Sequence, residues 1–284
     1  MQGRIIKNIS NDYTVQTSSN ERYVCKSRGK FRNMKITPLV GDEVLFDEKQ
    51  SYILEILPRK NELKRPPVSN IDQVVILTSV KHPDFSSYLL DKLITIIEYH
   101  SIEPIICFTK LDLLEEKERQ AMRTLITYYQ KLGYQVYENT ETEKIKKIFQ
   151  NKITVFTGQS GAGKSTLLNH LDVNLELKTG EISLALGRGR HTTRHVELIP
   201  LFGGLVADTP GFSSIDFDMN QACVRDQFRE FEKYKEECKY KDCMHVKEDH
   251  CKIKEKVEDG TILKSRYENY LQFIREVEDY GRFY

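Results

Sequence analysis

The run from residue 158 to 165 constrains this chain more than any other. Gly158, Gln159, Ser160, Gly161, Ala162, Gly163, Lys164 and Ser165 follow an apolar, β-branched stretch at 153–157, and Thr166 opens a helical pattern immediately after them. Glycines at this spacing, ending in Lys-Ser between a strand and a helix, form a phosphate loop. The backbone N–H groups of such a loop turn inward onto phosphate oxygens, Lys164 can neutralise the outer phosphates, and the Ser165 hydroxyl can ligate Mg²⁺. A glycine-rich turn without a ligand is the plain alternative, but it does not account for glycine spacing, Lys-Ser and flanking elements together. One feature of the loop is unusual: it normally opens its domain, and here more than half of the chain precedes it.

A length of 284 residues suits two domains or three small ones. With 39% apolar and 30% charged residues the chain reads as globular, and no apolar run is long enough to span a bilayer, so no membrane partner is expected. The N-terminus lacks the apolar core of a signal peptide. A cytoplasmic, reducing location is therefore expected, and disulfides are not, although there are six cysteines. The net charge of +1 conceals segregation. Arg22, Lys26, Arg28, Lys30, Arg32 and Lys35 lie in a stretch with no carboxylate, interleaved with Tyr23 and Phe31. Such a stretch suits phosphate contact with base stacking, and it equally suits a solvated hairpin loop.

Residues 1–63 hold five short alternating runs separated by Asn, Ser, Gly and Asp. They predict a small β-barrel of the oligonucleotide-binding (OB) type. The paired prolines at 66 and 67 interrupt this pattern and predict an extended linker over 64–70. From 71 to 217 strands alternate with helices, the mark of an α/β domain with a mostly parallel sheet. Residues 218–284 read as a helical domain in which Tyr267, Tyr270, Leu271, Ile274 and Val277 make one apolar stripe.

The nucleotide base is specified elsewhere. Thr109, Lys110, Leu111 and Asp112 follow a strand at 105–108, where GTPases carry Asn-Lys-X-Asp. The Asp112 carboxylate can accept two donors from guanine that adenine cannot offer, and the Lys110 stem can lie along the base. Thr109 stands in place of the usual Asn, leaving open how this loop is tied to the phosphate loop. Asp208, Thr209, Pro210 and Gly211 match Asp-X-X-Gly, in which Asp208 serves Mg²⁺ and the Gly211 amide meets the γ-phosphate. Phe212 occupies the position where Ras-like enzymes carry a water-orienting Gln. Between the two motifs runs a Gly, Arg and Thr-rich segment, 187–194, with the character of a nucleotide-dependent switch. In it Thr193, in preference to Thr192, can complete the Mg²⁺ shell. His191 is the candidate to orient water, and a solvated loop histidine is the alternative.

Guanine recognition thus precedes the phosphate loop, whereas in ordinary GTPases it comes last. This order is a circular permutation, which places the remaining base-contacting loop near Asn139 and Thr140. Cys238, Cys243, His245 and Cys251 form a compact Cys₃His set suited to one structural Zn²⁺, with His250 as a substitute ligand and free thiols as the alternative.

The ordered set of motifs resembles the circularly permuted small-subunit ribosome biogenesis GTPases called RsgA (YjeQ/YloQ). The resemblance implies a P-loop GTPase domain between an OB-like barrel and a helical zinc-binding domain. It also implies GTP hydrolysis with Mg²⁺, stimulated by the small ribosomal subunit during its late maturation, with rRNA as a binding partner. It implicates the histidine before the paired threonines, His191, in hydrolysis. A monomer is expected.

Overall fold

The five N-terminal strands, β1 (Gln2–Ile9), β2 (Asp12–Gln16), β3 (Arg22–Ser27), β4 (Glu43–Asp47) and β5 (Tyr52–Ile56), run in the order 1-2-3-5-4, and β4 pairs back onto β1. That closure, with β3 and β5 parallel, makes a five-stranded OB-like barrel. Alternation fills it: Ile5, Tyr13, Val15, Cys25, Val44, Phe46 and Ile53 are all buried. In this computed structural model, residues 1–172, 196–208 and 217–281 are described.

The stretch around the paired prolines is not an extended connector. β6 (Glu62–Lys64) and β7 (Pro67–Ser69) form an antiparallel hairpin whose Leu63 and Val68 are buried. Val68 and Ser69 also dock on Val40 of the barrel. Burial of two apolar side chains outweighs the bias of the prolines toward an extended chain, so the hairpin belongs to the barrel's core.

The parallel sheet is built on β8 (Gln73–Ser79), buried at every position as expected for a strand covered on both faces. Beside it lie β9 (Glu103–Thr109) and β10 (Gln135–Glu138) on one side. On the other lie β11 (Ile153–Gly158), β13 (Gly204–Asp208) and the antiparallel β12 (Glu197–Leu201). The chain therefore builds β8, β9 and β10 outward in one direction before it places β11 on the opposite side of β8, which is the permuted order. The carboxyl ends of β8, β9 and β11 converge at the point where the winding reverses, the usual location of a ligand crevice.

The C-terminal region packs a long helix, Lys264–Gly281, against the helix Ser87–Tyr99 of the α/β domain and over Val224, Phe228 and Phe231. Tyr270, Ile274 and Val277 of the expected stripe are buried, together with Phe273. At this seam Arg266, 1% exposed, bonds Asp91 from Nη1 (2.7 Å) and Glu230 from Nε (2.7 Å) and Nη2 (3.0 Å). Asn269 and the Tyr129 hydroxyl donate to the same Asp91 carboxylate. A charge cluster that is buried and fully bonded ties the C-terminal helix to the α/β domain.

Candidate nucleotide site and metal centre

β11 delivers the phosphate loop to the crevice because its last residue turns where only glycine fits. Gly158 has φ +138°, and a Cβ there would collide with the Leu77 carbonyl of β8. Gly161 and Gly163 also take positive φ, and Gly163 caps the helix Lys164–Leu171. Lys164 and Ser165 begin that helix, with Ser165 buried. Their amides face the position where phosphate binds a helix N-terminus.

The guanine-type loop follows β9. Lys110 adopts the left-handed conformation, and Leu111–Leu113 forms one 3₁₀ turn that leaves Asp112 exposed. Thr109 links this loop to the phosphate loop. Its buried hydroxyl donates to the Ala162 carbonyl at 2.7 Å, bonding the guanine loop to the centre of the phosphate loop. Lys110 Nζ donates to Gly161 O at 2.9 Å and also to His82 O. Asn139, at the end of β10, donates its amide to Phe108 O at 2.9 Å, which brings the 139–140 loop beside the guanine loop.

One wall of the site carried no sequence signal. The segment between β8 and the helix Ser87–Tyr99 packs against both loops: His82 O accepts from Lys110, and Asp84 O accepts from Gln159 Nε2 at 3.3 Å. These contacts use backbone carbonyls, which no side-chain motif reveals. β13 ends at Asp208 on the same side of the sheet as the phosphate loop. His191, Thr192, Thr193 and Gly211 lie outside the described residues.

Cys238, Cys243, His245 and Cys251 come together with all four ligand atoms within 4.8 Å of one another. His245 Nδ1 is 3.6 Å from Cys238 Sγ and 3.3 Å from Cys251 Sγ. Tetrahedral zinc, with bonds of about 2.3 Å to sulfur and about 2.0 Å to nitrogen, sets ligand separations of about 3.5–3.8 Å, so the residues fit the ion. His250 is exposed and is not part of the set. Burial pushes the Cys243 thiol up to about 12 and lowers His245 to about 4. Without a cation the Cys243 thiol is therefore neutral, and metal binding must displace its proton. The loop is braced by Glu248, whose carboxylate accepts the amides of Met244, Val246 and Lys247, and by Tyr267 and Tyr270, which donate to the carbonyls of His245 and Met244.

On the barrel, Arg22, Lys26, Arg28, Lys30, Arg32 and Lys35 are all exposed. The aromatics interleaved with them turn toward the barrel, Phe31 fully and Tyr23 in part. Phe31 is buried and Tyr23 packs on Phe46 at 5.2 Å, because the alternation of β3 and the inward face of the helix Gly29–Asn33 aim them at the core. The exposed apolar groups of this face are Val24, Met34, Ile36 and Tyr52, with the Arg28 guanidinium 6.0 Å from the Tyr52 ring centroid. Tyr52 comes from β5, far from the basic stretch in sequence.

The family model described as RsgA GTPase matches residues 56–218, and that described as RsgA N-terminal domain matches residues 2–53. The chain belongs to the RsgA GTPase family. It is accordingly a GTP-hydrolysing enzyme. Among curated relatives, the "small ribosomal subunit biogenesis GTPase RsgA" of Enterococcus faecalis is 52% identical, the match covering 98% of this chain and 96% of that protein. The Bacillus velezensis protein of the same name is 47% identical over 98% of each. Among solved structures, YloQ, described as a circularly permuted GTPase, matches with a TM-score of 0.82 and 39% identity over 98% of this chain and 95% of that one. YjeQ from Thermotoga maritima matches with a TM-score of 0.82 and 36% identity over 97% and 98%. The RsgA fold thus accounts for both the barrel and the permuted sheet. Among the described residues no helix is long and apolar enough to cross a membrane.

Proposed function

We propose that this GTPase acts in maturation of the small ribosomal subunit, as the names of its relatives state for those proteins. In this reading GTP is held in the crevice with its base on Asp112 and Lys110 and its phosphates on the loop from Gly158 to Ser165 and on Thr166. Lys164 neutralises charge that develops on the γ-phosphate as water attacks in line, and the Gly211 amide meets that phosphate. Ser165, Thr193 and Asp208 serve Mg²⁺, and His191 orients the water that a Gln orients in Ras-like enzymes. The Cys₃His set holds one structural Zn²⁺, and the basic face of the barrel meets rRNA phosphates. The protein works in the cytoplasm, as a monomer.

The observation that carries this reading is the bond from Thr109 to Ala162, which joins the guanine loop to the phosphate loop in one site despite their permuted order. The test is GTP turnover with and without purified small subunits. Stimulation that weakens steeply with salt is expected, because phosphate contacts release counterions. Equal rates in both conditions would remove the subunit from the function. His191→Ala should lower turnover with nucleotide affinity nearly unchanged, and normal turnover would exclude His191 from the mechanism.

A further inference from the structure

The barrel and the nucleotide-binding sheet touch on the side opposite their covalent connection. The chain passes from β5 through the β6–β7 hairpin into β8, in the half that carries the guanine loop. In space, however, β1 of the barrel lies beside β12, on the half that carries Asp208. The backbone splice is narrow. Lys7 stands opposite Glu197, and the Asn8 amide reaches Val196 O at 3.4 Å. Side chains reinforce it: Lys7 Nζ is 3.2 Å from Glu197 Oε2, with the two side chains only 24% and 12% exposed. Such a pair is screened less than a surface ion pair.

The position of Glu197 gives this pair its interest. In the β12–β13 ladder Glu197 stands directly opposite Asp208. On its other side β13 pairs with β11 at Leu205, Val206 and Ala207, so Asp208 lies one residue beyond the last of those positions. The strand neighbour of Asp208 is therefore β12 at Glu197, and β12 is in turn neighboured by the barrel. A single cross-strand row, Val24, Thr14, Lys7, Glu197 and Asp208, runs from the exposed basic face of the barrel to the end of β13. Without β1, β12 would be a free edge.

We infer that Lys7 and Glu197 are positioning residues for GTP hydrolysis: through them the barrel holds the β12–β13 hairpin, and with it Asp208, in the register that Mg²⁺·GTP needs. The inference rests on the assignment of Asp208 to Mg²⁺. Lys7 and Glu197 touch no nucleotide; they act through the backbone of one hairpin. A ligand seated on the barrel face thereby gains a direct mechanical route to the metal end of the site.

The test uses the full-length protein carrying Lys7→Glu, Glu197→Lys, the two together, Lys7→Arg and the milder Lys7→Gln. Each is assayed for the Mg²⁺ concentration that gives half-maximal GTP hydrolysis, for kcat and KM, and for GDP affinity without Mg²⁺. The single reversals should raise the Mg²⁺ requirement and lower kcat about 5- to 10-fold, the size of an ordinary coupling between sites. Lys7→Gln should shift both in the same direction by less, and GDP affinity should not move. Lys7→Arg and the double reversal should restore the wild-type Mg²⁺ requirement, which a merely destabilised fold has no reason to do. An unchanged Mg²⁺ requirement in Lys7→Gln and both single reversals, or a shift that the double reversal fails to repair, overturns the inference. Asp208→Asn separates the two levels: if it leaves the Mg²⁺ requirement normal, the assignment of Asp208 fails and the positioning role fails with it.

Discussion

Arg266→Met is the perturbation with the largest effect that the structure allows one to work out. The guanidinium is 1% exposed and is bonded to Asp91 and Glu230, themselves 0% and 2% exposed. Methionine preserves much of the volume against Phe228 and Tyr129, whose rings lie 4.6 and 5.5 Å from the guanidinium carbon. What is lost is the positive charge facing two buried carboxylates. Leaving a buried charge uncompensated costs about 3–5 kcal/mol, a large share of the ~5–15 kcal/mol that a domain has in total. At about 1.4 kcal/mol per tenfold, the folded-to-unfolded ratio should fall on the order of a hundred- to several-thousand-fold. The loss carries a pH signature. Burial already raises the Asp91 carboxyl above its ordinary value, against the pull of Arg266 and the bonds from Tyr129 and Asn269. Without Arg266 its main counterweight is gone and it rises further. A carboxyl whose folded pKa exceeds its unfolded one contributes most stability when protonated, so the deficit should shrink as pH falls from 7.5 to 5.5, by up to about 1.4 kcal/mol per unit per proton. Urea unfolding at saturating zinc, followed by far-UV circular dichroism because the chain has no tryptophan, measures this directly. R266M combined with D91N and E230Q should recover more than half of the loss, since both stranded charges are removed. A deficit under about 1 kcal/mol, one that is constant with pH, or a triple variant no better than the single one would refute the reasoning.

Other sites allow sharper, smaller tests. Thr109→Val removes the hydroxyl that donates to Ala162 O; a neutral hydrogen bond is worth about 0.5–1.5 kcal/mol, so GTP affinity by titration should fall about 2- to 12-fold. Gly158→Ala should abolish nucleotide binding, because its Cβ would collide with the Leu77 carbonyl at a φ of +138°; retained affinity would contradict the loop geometry. Metal analysis should find one zinc per chain and well under one after Cys243→Ser, with the helical signal of the C-terminal region lost on chelation. Acid should act in the same direction as chelation. Protons compete with the ion for the thiolates and for the His245 ring, so metal and the order it holds should be lost together as pH falls.

The sequence by itself determined everything that depends on local residue order. The phosphate loop, the Lys-X-Asp turn, the Cys₃His set, the alternation of the barrel and the permuted succession of motifs each follow from spacing along the chain, because glycine conformation, strand period and ligand spacing are local constraints. The strands and helices therefore lie close to where the pattern places them. Tertiary structure decided what depends on contacts between distant segments. It turned the proline stretch at 64–70 into a buried hairpin and drew Tyr23 and Phe31 inward while bringing Tyr52 out beside Arg28. It also bonded Thr109 to Ala162 O, since the reach of a hydroxyl to that carbonyl depends on how closely β9 and β11 bring their loops together. The junction of Lys7 with Glu197 is of the same kind. Residues 190 positions apart meet only because the barrel closes and presents β1 to an otherwise free strand edge, a consequence of sheet pairing that no local pattern encodes.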